Sequence, residues 1–392
     1  MRCEEAFFEK YNKLPEGVSF VPYRICPLGA HIDHQGGRVS GFAINKGVNI
    51  AYSVKNNGVV EMSSFKFPKK RAQWHIDGVP KHPENDWADY LRGATLVLSR
   101  RYALVRGISG VVEGELPIGG LASSSALTLA FILALGKANG IILGENELIE
   151  IALLAEKRYV GVLCGTLDQS AEVLSRKNHL LYLDTKTGEY ELIPENRLIK
   201  PYKIAIFFSG VERQLVGSGF NTRVDECRAA AFSLLAYAGL NYTSLDSVRL
   251  CDVPEEAYLE YGERLPENFK KRAEHYYTEN KRVEMGASAW RRGDIEELGR
   301  LIFESGKSSI DNYETGTKML KTLFELMQTK DGIYGARFSG AGFNGSTLAL
   351  IDPGCEEKIK TEITREYLEI FPELSNSFSV HICESTDGVK HF

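Results

Sequence analysis

Hydrophobic and polar positions along this chain change period several times, and the changes mark out its elements. The first residues read as a short amphipathic helix, and Val18 to Ile25 reads as a strand entering a polar turn, Pro27 to Gly37. Strand-like alternation resumes from Arg38 through Val54 and near Val59 to Phe67, which predicts an early β-rich layer. Trp87 to Gly93 begins a helix with an aromatic face. The run from Ala126 to Ala138 is apolar nearly all round, so it predicts a buried helix ending at Asn139-Gly140. A second helix keeps Leu148, Ile149, Ile151, Ala152 and Ala155 at helical spacing, with Glu156 in its C-terminal part. A hairpin is expected from Leu180 to Ile193 with its turn at Thr187-Gly188, and Ile204 to Ser209 reads as another strand. Helical periodicity then dominates in Arg223 to Ala238, Glu255 to Tyr261, Phe269 to Arg292 and Ile295 to Ser305. Near the end, Ala336 to Ile351 reads as strand, glycine loop, strand.

With 392 residues, 43% of them apolar, the chain can bury a large core, and its length predicts two domains, with three as the alternative. No internal repeat, low-complexity tract or flexible linker separates them, so the two are expected to share an interface. A net charge of −5 removes the general electrostatic case for nucleic acid or anionic membrane as the main partner. The N-terminus carries early acids and does not read as a secretory signal, and the most apolar stretch, Ala126 to Leu135, is too short to span a bilayer. Seven cysteines without a CxxC pair argue against a disulfide framework or zinc site and for reduced, cytosolic thiols.

Candidate chemistry concentrates in four places. Pro117-Ile118-Gly119-Gly120-Leu121-Ala122-Ser123-Ser124-Ser125-Ala126 reads as a side-chain-poor loop ending at a helix start. Its glycines let the backbone approach a ligand, its serines offer hydroxyls and an N-cap, and the following helix points N–H groups at an anion. The same residues suit ordinary turn and capping chemistry, and no Gly-Lys-[Ser/Thr] follows to make a Walker loop. The polar turn holds His31, Asp33 and His34, which read either as a functional cluster or as a solvated loop, without local metal spacing. Glu156 and Asp168 stand in apolar settings, where a buried carboxylate needs a partner. Three closely spaced glycines between Phe338 and Thr347 suggest close backbone approach, with a tight hairpin as the alternative.

Taken in order, these blocks resemble the GHMP kinase superfamily and, within it, the galactokinase branch. Arg24 through Gly37 looks like the first motif, the Gly-Gly/Ser loop the second and Phe338 to Thr347 the third, and the resemblance covers nearly the whole chain. Trp87-x-x-Tyr90-x-x-Gly93, Ala155-Glu156 followed by Asp168-Gln169, and Arg291 through Arg300 add to it. The resemblance implies an α+β fold of two lobes, 1–200 and 201–392, with the active site between them. It implies that Asp168 acts as base or orienting acceptor at a sugar's anomeric hydroxyl, and that Arg24 pairs with it and stabilises the transferring phosphoryl charge. Ser125 and Glu156 would hold Mg²⁺ on the phosphates of ATP. His31 and Asp33 would hydrogen-bond sugar hydroxyls, with Ala30, Gly165 and Phe220 also on the sugar side. Trp87, Gly119, Gly120, Ser123, Ser124 and Ser125 fall on the nucleotide side. The implied partners are small molecules, for a cytoplasmic monomer or weak homo-oligomer.

Departures from the family pattern direct the substrate reading. Galactokinases usually read Gly-Glu-His-Thr-Asp-Tyr where this chain reads Gly29-Ala30-His31-Ile32-Asp33-His34, so the acceptor for the C6 hydroxyl is gone. A glutamate there would repel a C6 carboxylate by about 4 kcal/mol at roughly 4 Å and an effective dielectric near ~20. Alanine removes that barrier, which resembles galacturonokinases and implies D-galacturonate as substrate. A galactokinase lacking one hydrogen bond, a kinase for arabinose or glucuronate, and a non-catalytic sugar sensor are the alternatives. Leu121 stands where the loop usually has glycine, implying a shifted register or weaker nucleotide binding. Phe220 stands where a sugar-contacting tyrosine is usual.

Overall fold

A computed structural model describes residues 3–67, 71–212, 219–242, 244–245 and 247–389. Helix α1 (Cys3–Tyr11) precedes the two strands on which the first sheet is built, β1 (Gly17–Ile25) and β2 (Arg38–Lys55). There follow β3 (Val59–Ser64), β4 (Ala72–His75), α2 (Asp89–Arg101), β5 (Gly107–Gly114), α3 (Ser123–Ala138) and α4 (Glu145–Ala155). A π-helical turn (Glu156–Val160), α5 (Leu167–Leu174), β6 (His179–Asp184) and β7 (Tyr190–Pro194) complete this half. β2 serves the sheet twice, pairing with β5 through Val48 to Lys55 and with β6 through Arg38 to Gly41, while β1 pairs along the edge opposite β5. The resulting order is β4-β3-β5-β2-β6-β7. α3 packs on this sheet beneath α2, α4 and α5, which is why it is apolar on every side.

The second half runs through β8 (Lys203–Phe208), α6 (Phe220–Tyr237), α7 (Glu255–Tyr261), α8 (Glu267–Arg292), α9 (Ile295–Asp311) and α10 (Lys318–Gln328). It closes with β9 (Ile333–Phe338), β10 (Ser346–Ile351), α11 (Glu356–Ile370), β11 (Ser379–Cys383) and β12 (Ser385–Thr386). Four of these strands form an antiparallel sheet in the order β11-β8-β10-β9, whereas β12 returns to the first sheet and pairs with β2. Alternate residues of the small sheet enter different cores. Ala205, Phe207, Ala349 and Ile351 pack with Leu323, Met327, Ile359 and Ile363 of α10 and α11. Ile204, Ile206, Leu348 and Leu350 join the main core. Burial on both faces explains why β10 is apolar without a break from Leu348 to Ile351.

The α+β class expected from the sequence is the one found. Differences lie at element ends and in weak patterns. β3 stops at Ser64, Trp87 precedes α2, and α9 continues past Ser305 to Asp311. β5 lacks a strand-like alternation because Gly107, Gly110 and Gly114 interrupt it and both of its faces are buried. α11 buries only the narrow stripe Ile359, Ile363 and Tyr367 among charged neighbours, which leaves little apolar signal.

Candidate active site

The site forms where β1, the Gly-Gly/Ser loop and α5 meet. The buried guanidinium of Arg24, near the end of β1, donates to Asp168 Oδ1 through Nε at 2.8 Å and Nη2 at 2.6 Å. Its Nη1 donates to the Gly120 carbonyl at 2.8 Å, so one side chain ties the first motif, the Gly-Gly/Ser loop and the first turn of α5 together. Both ionic contacts fall on Oδ1, leaving Oδ2 of Asp168 outside the pair, and the Asp168 side chain keeps 30% exposure. The cavity it faces is lined by Ala30, His31, Asp33, Gly165, Phe220 and Glu156, and on its far side by Gly119, Gly120, Ser123 and Ser124.

The turn after β1 is buried, so the solvated-loop alternative fails. His31 takes φ +66° and its ring stacks on Tyr313 with centroids 4.3 Å apart and planes 12° from parallel. Its Nε2 is buried without a hydrogen-bond partner among the described residues. Burial, then the nearby His275, Arg337, His34 and Arg24, push the His31 imidazole well below its ordinary value, keeping the ring neutral. His34 bonds Tyr313 Oη through Nε2 at 3.0 Å, and Phe220 meets it edge-on at 5.8 Å. The Asp33 carboxyl is raised to about 6 by burial and by Asp168 beside it. It also explains Gly165, because a Cβ there would lie 2.2 Å from Asp33 Oδ2.

α8 supports this turn from the second half of the chain. His275 Nε2 bonds the Ala30 carbonyl at 3.0 Å, Glu279 Oε1 accepts from Gly29 N at 2.7 Å, and Asn280 Oδ1 accepts from Arg38 N at 2.8 Å. Burial alone would raise the Glu279 carboxyl, but Arg282 and Arg337 hold it down to about 2.

On the phosphate side, the expected serine N-cap is not found: Ala122 occupies the N-cap position at φ +59°, and no side chain caps α3. Leaving that terminus uncapped keeps its N–H groups for an anion. Leu121 is buried without a positive φ, so the left-handed residue is Ala122 instead. The close approach expected of the last glycine motif is made to this loop. Ser339 Oγ donates to Gly120 O at 2.6 Å, and a Cβ on Gly119 would lie 2.5 Å from Gly345 Cα. Trp87 does not reach the first cavity; it lines an adjoining, mostly apolar one of about 480 Å³ with Phe65, Phe67, Tyr90 and Leu127, whose mouth is shared by Ser123 and Ser124.

Glu156 stands at the first position of the π-helical turn, where Gln169 Nε2 donates to Oε1 at 3.2 Å. Ser125 is set behind the cavity, its fully buried Oγ without a hydrogen bond of ordinary geometry. Among the described residues no group of three or more His, Cys, Asp or Glu could enclose a metal ion. Mg²⁺ on nucleotide phosphates keeps its waters and takes only one or two protein oxygens, so a cavity-lining carboxylate and an unpartnered hydroxyl suit it. Glu172, which the motif reading passed over, is fully buried with neither oxygen in a hydrogen bond of ordinary geometry; burial raises its carboxyl well above the ordinary range, against the lowering effect of the Ser125 hydroxyl beside it. Its signal is spacing, since it follows Asp168 by one helical turn on the same face of α5.

Comparison with known proteins agrees with this arrangement. Residues 89–176 match the GHMP kinase N-terminal domain, 287–369 the GHMP kinase C-terminal domain, and 5–54 the galactokinase galactose-binding signature. The chain therefore belongs to the GHMP kinase superfamily, in its galactokinase branch. A galacturonokinase of Arabidopsis thaliana is 39% identical, covering 95% of this chain and 93% of its own. A galactokinase of Thermotoga neapolitana is 33% identical, covering 94% of this chain and 98% of its own. The crystal structure of Lactococcus lactis galactokinase complexed with galactose superposes with a TM-score of 0.88 at 27% identity, over 99% of this chain and 98% of the other. The protein is a sugar-1-kinase of the galactokinase and galacturonokinase type.

Proposed function

We propose that this kinase transfers the γ-phosphoryl group of MgATP to the anomeric hydroxyl of D-galacturonate, giving galacturonate 1-phosphate. The observation that carries the substrate is the wall at residue 30, where Ala30, with no carboxylate, lines the cavity beside His31 and Asp33. The 39% identity to a galacturonokinase supports the same choice. Asp168 accepts the proton of the anomeric hydroxyl or orients it, and Arg24, pinned to Oδ1, stabilises the charge of the transferring group. Asp33 and His31 take sugar hydroxyls, while Gly165 and Phe220 shape the wall. The base lies in the aromatic cavity of Trp87, and the phosphates lie on Gly119, Gly120 and the first turn of α3. Ser125 and Glu156 would hold Mg²⁺, which would supply charge neutralisation to the phosphates. All seven cysteines are free thiols, which supports a cytoplasmic enzyme of small molecules.

The test uses the ratio of kcat/KM for galacturonate to that for galactose, which cancels effects common to both sugars. Ala30→Glu restores an acceptor for a C6 hydroxyl and repels a C6 carboxylate. The ratio should fall at least about tenfold, roughly 1.4 kcal/mol, even with most of the repulsion screened by solvent. A ratio unmoved in Ala30→Glu removes residue 30 as the C6 discriminator.

A further inference from the structure

A nucleotide triphosphate keeps net negative charge even with Mg²⁺ bound, and the two cavities offer few cations to meet it. Among the described residues Arg24 is the only arginine or lysine lining the first, and all three of its donor nitrogens are engaged by Asp168 and the Gly120 carbonyl. The adjoining aromatic cavity supplies one more cation, Lys66, and its described wall carries one carboxylate, Glu212. These two form an ion pair with each other, and their side chains are 46% and 43% exposed, so they stand at the rim of the cavity and not on its floor. They come from opposite halves of the chain. Lys66 follows β3, where Phe65 N donates to the Val112 carbonyl at 3.1 Å and Lys66 N to Ser64 Oγ at 3.2 Å. Glu212 follows β8, and the Val211 carbonyl before it accepts at 3.1 Å from the N–H of Gly345, the glycine that presses on Gly119. Both backbones are anchored, while both side chains stand in solvent.

We propose that Lys66 binds the phosphates of the nucleotide, and that Glu212 holds the Lys66 ammonium at the cavity rim until a phosphate takes the carboxylate's place. This rests on the reading above that the base lies beside Trp87 and the phosphates on the first turn of α3. Ser123 and Ser124 of that turn line the same cavity as Lys66, so its ammonium and the phosphates share one mouth. A half-exposed ion pair is weak because solvent and salt screen it, so breaking it costs less than a phosphate contact returns. An ammonium on a flexible stem exchanges one oxygen anion for another without backbone movement, which the pinned guanidinium of Arg24 cannot do. The two residues therefore act on nucleotide affinity with opposite signs. Lys66 favours binding, Glu212 competes with it, and both effects grow with the number of phosphates on the ligand.

Isothermal titration of the full chain in Mg²⁺ with adenosine, ADP and a non-hydrolysable ATP analogue measures both signs. Lys66→Met keeps the apolar stem and removes the charge. It should weaken the ATP analogue roughly tenfold, ADP less, and adenosine not at all, and in turnover it should raise KM for ATP while KM for the sugar holds. Glu212→Gln should tighten the ATP analogue by up to about fivefold, the scale of the pair it removes, and should have no effect once Lys66 is already methionine. Weaker binding in Glu212→Gln as well as in Lys66→Met would make the pair a clasp between the halves and overturn the inference. An equal loss for adenosine and the ATP analogue in Lys66→Met would assign Lys66 to the base and also overturn it. Adenosine binding to Trp87→Ala checks the underlying reading. Undiminished affinity there places the base elsewhere and overturns both, whereas a loss there with the ATP analogue unaffected by Lys66→Met overturns this inference alone.

Discussion

At the scale of single residues the site keeps its acidic groups unequal. Asp168 is clamped by Arg24, whereas Asp33 lies on the Cα of Gly165 with Asp168 as a like-charged neighbour, and its carboxyl is raised to about 6. A raised carboxyl costs stability once it must ionise. The penalty is absent below the ordinary aspartate value near ~3.9, grows as pH rises, and is complete above about 6. Asp33→Asn should therefore stabilise the protein relative to wild type at pH 7.5 by roughly 1–3 kcal/mol more than at pH 4, while weakening sugar binding. Urea unfolding at the two pH values checks this, and an equal difference at both would mean that Asp33 ionises as freely in the folded protein as in the unfolded chain.

At the scale of elements, the sugar turn is held by a helix some 250 residues away in sequence. Glu279 of α8 accepts from Gly29 N and Ser305 Oγ and pairs with Arg282 and Arg337, all within the core. Removing one member of such a network leaves buried charge without compensation, which costs about 3–5 kcal/mol. Glu279→Ala should lower the melting temperature by that much stability and raise KM for the sugar more than KM for ATP, because Gly29 leads directly into Ala30 and His31. Equal effects on the two KM values would separate α8 from the sugar turn. Glu279's contribution is fully present above the ordinary glutamate value near ~4.3 and is lost only as pH falls through about 2, so the deficit should not vary between pH 6 and 8.

At the scale of the whole molecule, the two halves are tied through their backbones as well as through the site. β12 adds to β2, Val389 N donates to the Glu172 carbonyl at 2.9 Å, and Gly388 N donates to the Ser175 carbonyl at 2.7 Å. These last contacts grip the end of α5, whose first turn carries Asp168. A chain ending at Glu384 should lose about 1–3 kcal/mol, the order of a few backbone hydrogen bonds and the buried Val389 side chain, and should turn over more slowly. Thermal melting and kcat of that truncation measure both effects. Unchanged values would show that the C-terminal strand does not hold α5.

Much of this architecture was written locally. Apolar residues on every side of Ala126 to Ala138 required a buried helix, Thr187-Gly188 between two alternating runs required a hairpin, and the Gly-Gly/Ser run marked a loop shaped for close approach. Such features depend on neighbouring residues and on backbone conformation, so a sequence read alone determines them. The order of the motifs likewise located Arg24, Asp168 and Ala30. Only the folded chain decided what those residues meet. The serines of the loop became α3's first turn instead of its cap, with Ala122 taking the left-handed position. The glycines near the C-terminus pressed against Gly119 and Gly120, and His275 and Glu279 came to hold the sugar turn. Glu172, facing inward from α5, was left without a hydrogen bond of ordinary geometry. Each of these depends on contacts between segments far apart in sequence, whose energies arise from desolvation and charge pairing once the chain has closed around them, and no local pattern encodes that partner.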